Sequence, residues 1–353
     1  MDPRQPGLLA APFSPRPVIE ASYMDVLVRE GLPTGTGFSL ALPKGWALER
    51  TRPAVAPGPD APIVSLARFY PGEPDALGAR EDVELIVWAA FLPREIHGAD
   101  WLRAWIASQG YRALESRQAL SPTGIMGDTL AARRHNGGVR LHRLFTVKDG
   151  DLLFLIDGRI PQGPQTDHRA MQEIFLLAAM RFRLAEPTGQ SFAEGFEWTE
   201  LKGEATVRFR SSGLWTPRPA GDAPPGGAAA LLDNGVGDAK LGTLVAVLGV
   251  AGDPVAELER TTLAKLANQD FVLSPERELM SEDRSEGRSV TVHRRAATRA
   301  GTPLVVLSAL VTLATPGGTL PVCLMLVTPD EATAFEAWAI NRRAFEIAVN
   351  SLQ

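Results

Sequence analysis

The sequence predicts an α+β fold of two tandem domains, each an antiparallel sheet flanked by helices. Three observations predict it. The order strand, long loop, strand, helix, three strands, helix occurs twice along 353 residues, a length that holds two domains of about 150 residues each. Tight-turn sequences join successive strands, which makes neighbours antiparallel. The central strands are apolar on both faces, so each sheet needs cover on both sides.

Residues 1–35 read as a flexible Pro- and Gly-rich lead. Asp2 stands beside Arg4, and the apolar run from Leu8 to Phe13 is broken by Pro12, so the start does not match a secretory signal. The first domain, 36–184, opens on the alternating strand Phe38 to Trp46, FSLALPKGW. A loop from Arg52 to Pro62 leads to the apolar strand Val83 to Leu92. A helix follows over Asp100 to Gln109, with Trp101, Leu102, Trp105 and Ile106 on one face and Gly110 as its cap. Strands come next at Leu130–His135, Arg140–Lys148 and Leu152–Arg159, the last two joined at Asp149-Gly150. A closing helix spans Thr166 to Met180, with Met171, Ile174, Phe175 and Ala178 inward. Residues 185–197 form a polar linker containing Pro187, Gly189 and Gly195.

The second domain, 198–353, repeats the order. Its strand Val207 to Trp215 ends at a Trp corner, and a Pro- and Gly-rich loop from Pro217 to Gly227 leads to the strand Leu244 to Val250. Asp253-Pro254 opens a helix striped by Val255, Leu258, Thr262 and Leu266. The two middle helices close on matching phrases, Gln109-Gly-Tyr111 and Gln269-Asp-Phe271. Strands Ser289–Arg295, Leu304–Ala314 and Leu320–Thr328 follow, the last two joined through Thr315-Pro-Gly-Gly318. Thr328-Pro-Asp-Glu331 has capping-box spacing before a helix striped by Phe335, Trp338, Phe345 and Val349.

Composition narrows the function classes. Apolar residues make up 45% and charged residues 22%, a globular balance. The net charge of −5 argues against a general nucleic-acid binder. No window is long and apolar enough to insert in a membrane, and the simplest expectation is a cytoplasmic protein. Cys323 is the single cysteine, which leaves no intrachain disulfide and no multi-thiolate zinc site; inside an apolar strand it reads as an inert thiol.

Residues that carry chemistry are few. The five histidines, His97, His135, His142, His168 and His293, lack the paired spacing of a zinc site. No Gly-X-Ser-X-Gly elbow occurs, and Gly31 to Gly37 precedes a strand instead of opening a helix, so it reads as a plain loop. The paired acids Glu81-Asp82 and Glu282-Asp283 read as solvated loop charge. The expectation is no enzyme, no catalytic residue, no metal and no cofactor. One constellation stands out. Arg133, Arg134 and His135, and then His293, Arg294 and Arg295, fall on corresponding strands of the two halves. Arginine suits carboxylate recognition, so these residues, with Trp88 on a two-sided apolar strand, are the binding candidates. Edge-strand charge that discourages aggregation is the plainer reading.

The phrase FSLALPKGW resembles the opening of PsbP/Mog-type domains, whose bacterial relatives include DcrB-like proteins and the Eag-type chaperones of type VI secretion. Ile174 to Phe182 and Ala344 to Leu352 resemble the family's last helix running into a short strand. The second half departs from the motif, with Ser211-Ser-Gly-Leu-Trp215 lacking the proline. The resemblance implies a non-enzymatic adaptor or chaperone with a protein partner, associated with bacterial secretion. Two alternatives stand beside it. One is a small-ligand protein or enzyme with a site in the interdomain cleft built from Arg133, His135 and His293. The other is a structural subunit of a larger assembly.

Overall fold

We describe a computed structural model over residues 7–51, 53, 55–72, 83–135, 138–161, 167–236 and 239–353. The chain divides into two units, Met1–Ala193 and Glu194–Gln353. In the first unit α1 (Arg16–Ser22) and β1 (Tyr23–Val28) precede β2 (Phe38–Pro43), β3 (Trp46–Arg50), β4 (Ile63–Pro71) and β5 (Glu84–Phe91). Then come α2 (Gly98–Ser108), β6 (Arg112–Ser121), β7 (Gly124–His135), β8 (Gly138–Asp149), β9 (Leu152–Pro161), α3 (His168–Met180) and β10 (Arg183–Leu184). The second unit runs β11 (Phe196–Lys202), β12 (Thr206–Ser212), β13 (Thr216–Arg218), β14 (Ala228–Val236), β15 (Ala239–Leu248), α4 (Val255–Ala267) and β16 (Phe271–Leu273). It closes with β17 (Glu278–Ser285), β18 (Arg288–Arg299), β19 (Thr302–Thr315), β20 (Gly318–Pro329) and α5 (Phe335–Ser351).

The α+β architecture is as predicted, and the two units share one sheet order. The first sheet runs β3-β4-β5-β9-β8-β7-β6 and the second β13-β14-β15-β20-β19-β18-β16, with β17 also on β18. Every pairing in both sheets is antiparallel. Each unit also carries a small second layer. In the first unit β2 pairs with β1 on one side and β10 on the other. In the second, β12 pairs with β11, and Arg208 exchanges two backbone hydrogen bonds with Gln353. The Trp corners are where the chain leaves this small layer and enters the edge of the large sheet.

The two-sided apolar strands are explained inside each unit. On β5, Leu85, Val87 and Ala89 join the core formed with the small layer and α3, while Trp88 faces the core under α2. On β20, Val322, Leu324 and Leu326 face α5, while Cys323, Met325 and Val327 face α4. Each sheet is therefore a partition between two cores, which is what continuous apolar strands require. The closing helices dock on glycines. A Cβ on Gly158 would lie 2.3 Å from the Phe175 ring of α3, and one on Gly242 would lie 2.5 Å from Asn341 Nδ2 of α5.

Several local expectations change. The lead is not loose throughout: it contains α1 and β1, and residues 7–14 are hydrogen-bonded to the first unit. Strands β4, β6 and β14 add to the expected set. The proposed capping box at Thr328–Glu331 does not start a helix. Asp330 instead accepts the Ala332 N–H at 2.9 Å in a turn, and α5 begins at Phe335. Pro254, not Asp253, sits at the start of α4. Glu282 and Asp283 lie on the exposed edge strand β17 instead of a loop, and Glu81-Asp82 falls outside the described residues. Residues 188–193 of the expected linker belong to the first unit. Thr188 donates to Asp149, and the Ala193 N–H donates to Glu95 at 2.8 Å.

Candidate functional site

The middle helices separate the units chemically. In the first unit α2 presents Leu102 and Ile106 to Tyr111, Ala131, Leu144 and Leu155, with Trp88, Trp101 and Trp105 packed on that core. The aromatic rings form a continuous ladder. Trp101 stacks on Trp105 at 6.1 Å, Trp105 meets Tyr111 at 5.3 Å, and Tyr111 meets His142 edge-on at 4.7 Å. His142 Nδ1 lies 2.8 Å from Asp157 Oδ1, and Arg159 donates to the other oxygen of Asp157 at 2.8 Å. Burial alone would raise the Asp157 carboxyl, but His142 and Arg159 outweigh it and hold the group below the usual carboxylate range. This face is filled.

In the second unit the same face is open. Matching Gln109-Gly-Tyr111 with Gln269-Asp-Phe271 sets Thr261 where α2 has Trp101 and Lys265 where it has Trp105. The lost bulk leaves a cavity of about 500 Å³ between α4 and the sheet, within the size range of small-ligand sites. Its apolar wall includes Leu231, Val245, Leu266, Phe271, Leu304 and Val327. Lys240, Lys265 and Arg299 bring positive charge to its lining. Lys240 pairs with Asp233 at 2.8 Å, the Lys265 ammonium donates to the Asp222 carbonyl at 2.5 Å, and the Arg299 guanidinium lies 4.9 Å over the Phe271 ring. Beneath Gly242 the wall rests on neutral amides. Asn341 Nδ2 donates to the Leu241 carbonyl at 2.8 Å and to Thr328 Oγ1 at 3.0 Å, and Asn234 donates to Asn341 Oδ1 at 2.6 Å. An apolar recess with a cationic border can hold an apolar group next to an anionic one.

None of the binding candidates read from the sequence lines this cavity. Arg133, Arg134 and His135 are exposed beside the β7–β8 turn, and Arg133 lies 5.1 Å over the Tyr111 ring. His293, Arg294 and Arg295 are on the corresponding strand β18 but in mid-strand, opposite Ser308, Leu307 and Val306 of β19. The two triplets therefore sit at different registers and do not form matched sites. Arg294 reaches Glu278 at 3.6 Å and Asp330 at 3.7 Å, while Arg295 donates to the Ser274 and Pro275 carbonyls. Burial first, and then Arg277, push the His293 imidazole down. Trp88 is part of the filled face of the first unit. Sequence reading missed Lys240, Lys265 and Arg299, and took Phe271 only as the close of a helix; the available signal was the mismatch between the middle helices. Cys323 is fully buried and its thiol is pushed up by burial. No cluster of three metal-ligating side chains occurs among the described residues. No helix among them is long and apolar enough to cross a membrane.

No family model and no curated protein matches the chain. Among solved structures it is similar to the Saccharomyces cerevisiae Ran-binding protein Mog1p, at 13% identity over 45% of this chain and 95% of that one, TM-score 0.32. It is similar to LpqN of Mycobacterium tuberculosis, involved in cell envelope biogenesis, at 11% identity over 48% and 95% of the two chains, TM-score 0.30. It is also similar to the immunity protein TplEi of the Pseudomonas aeruginosa T6SS, solved with an "L" peptide, at 11% identity over 90% and 94%, TM-score 0.21.

Proposed function

We propose that the chain is a non-enzymatic protein-binding adaptor, and that the second unit takes an apolar side chain of its partner into the α4 cavity. The observation that supports this is the open recess with Lys240, Lys265 and Arg299 at its border. Those cations favour a partner whose apolar residue is flanked by Asp or Glu, because charge complementarity sets specificity at such a border. Within this class, the resemblance to Eag-type chaperones favours a role in bacterial protein secretion. An intracellular setting accords with the single, buried, unpaired thiol.

The test is fluorescence anisotropy with labelled peptides that carry Leu or Phe between acidic residues, and with matched peptides whose acids are replaced by Gln. Acidic peptides are expected to bind the native chain. Lys265→Trp, which places on α4 the residue α2 has at the matching position, is expected to weaken binding by about tenfold or more. Arg299→Glu is expected to reverse the preference for acidic flanks. Equal binding by the native chain and by Lys265→Trp overturns the assignment of the cavity.

A further inference from the structure

A second peptide-like contact lies in the first unit and is already occupied. The segment Gly7–Ser14, GLLAAPFS, is neither helix nor strand, yet side chains of the unit bond its backbone at both ends. The Leu8 N–H donates to Glu115 at 2.7 Å, and Arg117 donates to the Leu8 carbonyl at 2.7 Å. The Leu9 N–H donates to Gln172 Oε1 at 3.0 Å, and Arg143 donates to the Leu9 carbonyl at 2.7 Å. Gln172 Nε2 donates to the Gly7 carbonyl at 2.8 Å. The N–H groups of Phe13 and Ser14 both donate to Glu173 Oε1 at 2.7 Å, and the Ser14 hydroxyl donates to Oε2 at 2.6 Å.

This is an unusual use of buried polar groups. Arg143, Gln172 and Glu173 are 0%, 3% and 4% exposed. Arg143 keeps Asp128 as a partner without the segment, but the hydrogen bonds found for the Glu173 carboxylate and for the Gln172 amide nitrogen go to the segment. These groups are buried because the segment covers them; once it leaves they turn to water, and another extended backbone presenting the same N–H and C=O groups would regain the hydrogen bonds the segment makes. Side-chain-to-backbone contacts do not read sequence. Selectivity comes from the site that buries Leu8 to 6% exposure and from Arg169, whose guanidinium lies 4.4 Å over the Phe13 ring.

We infer that this groove, formed by Glu115, Arg117, Arg143, Gln172 and Glu173, is a peptide-binding site for an extended leucine-containing segment of a partner protein. Gly7–Ser14 occupies it in cis as a competing strap. The site does not depend on the α4 cavity, and its failure leaves that reading intact. A strap tethered to its own groove competes at high effective concentration, so it keeps out weak ligands and yields to a tighter one.

The test uses the full chain. In Leu8→Asp/Leu9→Asp the strap loses its anchor, and a labelled peptide of residues 7–15 is then added. Saturable binding is expected to the variant and about tenfold or more weaker binding to the native chain. Adding Glu173→Ala to the variant is expected to abolish it. Hydrogen exchange on the native chain supplies an independent readout: the amides of Leu8, Leu9, Phe13 and Ser14 are expected to exchange faster than those of α3. No peptide binding to either chain, equal binding to both, or strap amides that open only with the whole unit overturns the inference. So does a variant that loses its fold by circular dichroism, because the segment is then an integral part of the unit. A strap-exchanged dimer by light scattering also overturns it, because the occupant is then a second copy.

Discussion

The two units share a sheet order and differ in what fills it. Around its sheet the first unit buries ions: Glu95 with Lys148, Asp157 with His142 and Arg159, and Glu84 with Arg159 at 2.7 Å. Its α2 face is closed by stacked indoles. In the second unit the fully buried polar side chains beside α5 are neutral, the amides of Asn234 and Asn341 and the hydroxyl of Thr328, and the α4 face is left open, with Glu259 of α4 paired to Arg277. Strand order is therefore independent of the side chains that occupy the cores. A duplicated scaffold has room for a binding recess in one copy when the other copy is filled.

The comparison can be broken first at the ions. Glu95→Ala takes the carboxylate partner away from the buried Lys148 ammonium, and removing one partner of such a pair costs about 3–5 kcal/mol. Denaturant unfolding is expected to show the first unit lost at lower denaturant while the second is unchanged. If the stability of the first unit is unaffected, the buried ions are not what fastens it. The corresponding change in the second unit is smaller. Asn341→Ala removes neutral hydrogen bonds and is expected to cost about 1–3 kcal/mol, read from the same unfolding curves.

Acid sharpens the same contrast. The Asp157 carboxyl is held below the usual range, and so is that of Glu115, chiefly by the Leu8 N–H. A group whose folded pKa is depressed contributes stability above its unfolded pKa and loses it as pH falls through the folded one. The first unit is therefore expected to weaken below about pH 4. Asp128, raised chiefly by burial, acts in the opposite direction and offsets part of this loss. A pH series of thermal melts, with Trp fluorescence reporting on the α2 ladder, checks it. The smallest expected effect is in the second unit. Lys265→Trp should change stability by less than about 1.5 kcal/mol, because it adds volume where there is space and not in a packed core; a larger loss means that the cavity is not free.

Much of this scaffold was legible because turns and periodicity are local. Asp149-Gly150 and Thr315-Pro-Gly-Gly318 mark hairpins, and Trp338, Phe345 and Val349 line the buried stripe of α5 as their spacing requires. Strand β14 was missed because Ala228 to Ala230 carries little β signal, and β6 because it is mostly polar and lies at the sheet edge. The triplets of Arg and His drew attention through residue type alone. Strand correspondence was right, but register depends on hairpin position, which differs between the units. The cavity was hardest to read, since a cavity is defined by absent atoms. Only setting Trp101 and Trp105 against Thr261 and Lys265 exposes it. The Gly7–Ser14 strap has no periodicity of its own, and its partners lie more than a hundred residues away in sequence, as with Leu8 and Glu115.

The attachment of residues 185–193 to the first unit has a mechanical consequence. Moving back along the chain from Ala193, the segment is clipped at Glu95 by the Ala193 N–H, at Gly150 by the Gln190 carbonyl and at Asp149 by Thr188. It is then clipped at Gly37 by the Ala185 N–H before β10 joins β2. A pull applied beyond Ala193 meets these clips one after another, beginning at a carboxylate inside the core. Tension on the connection is thus dissipated in several small releases before it reaches the β2 layer, and force spectroscopy would record a staircase ahead of the main rupture.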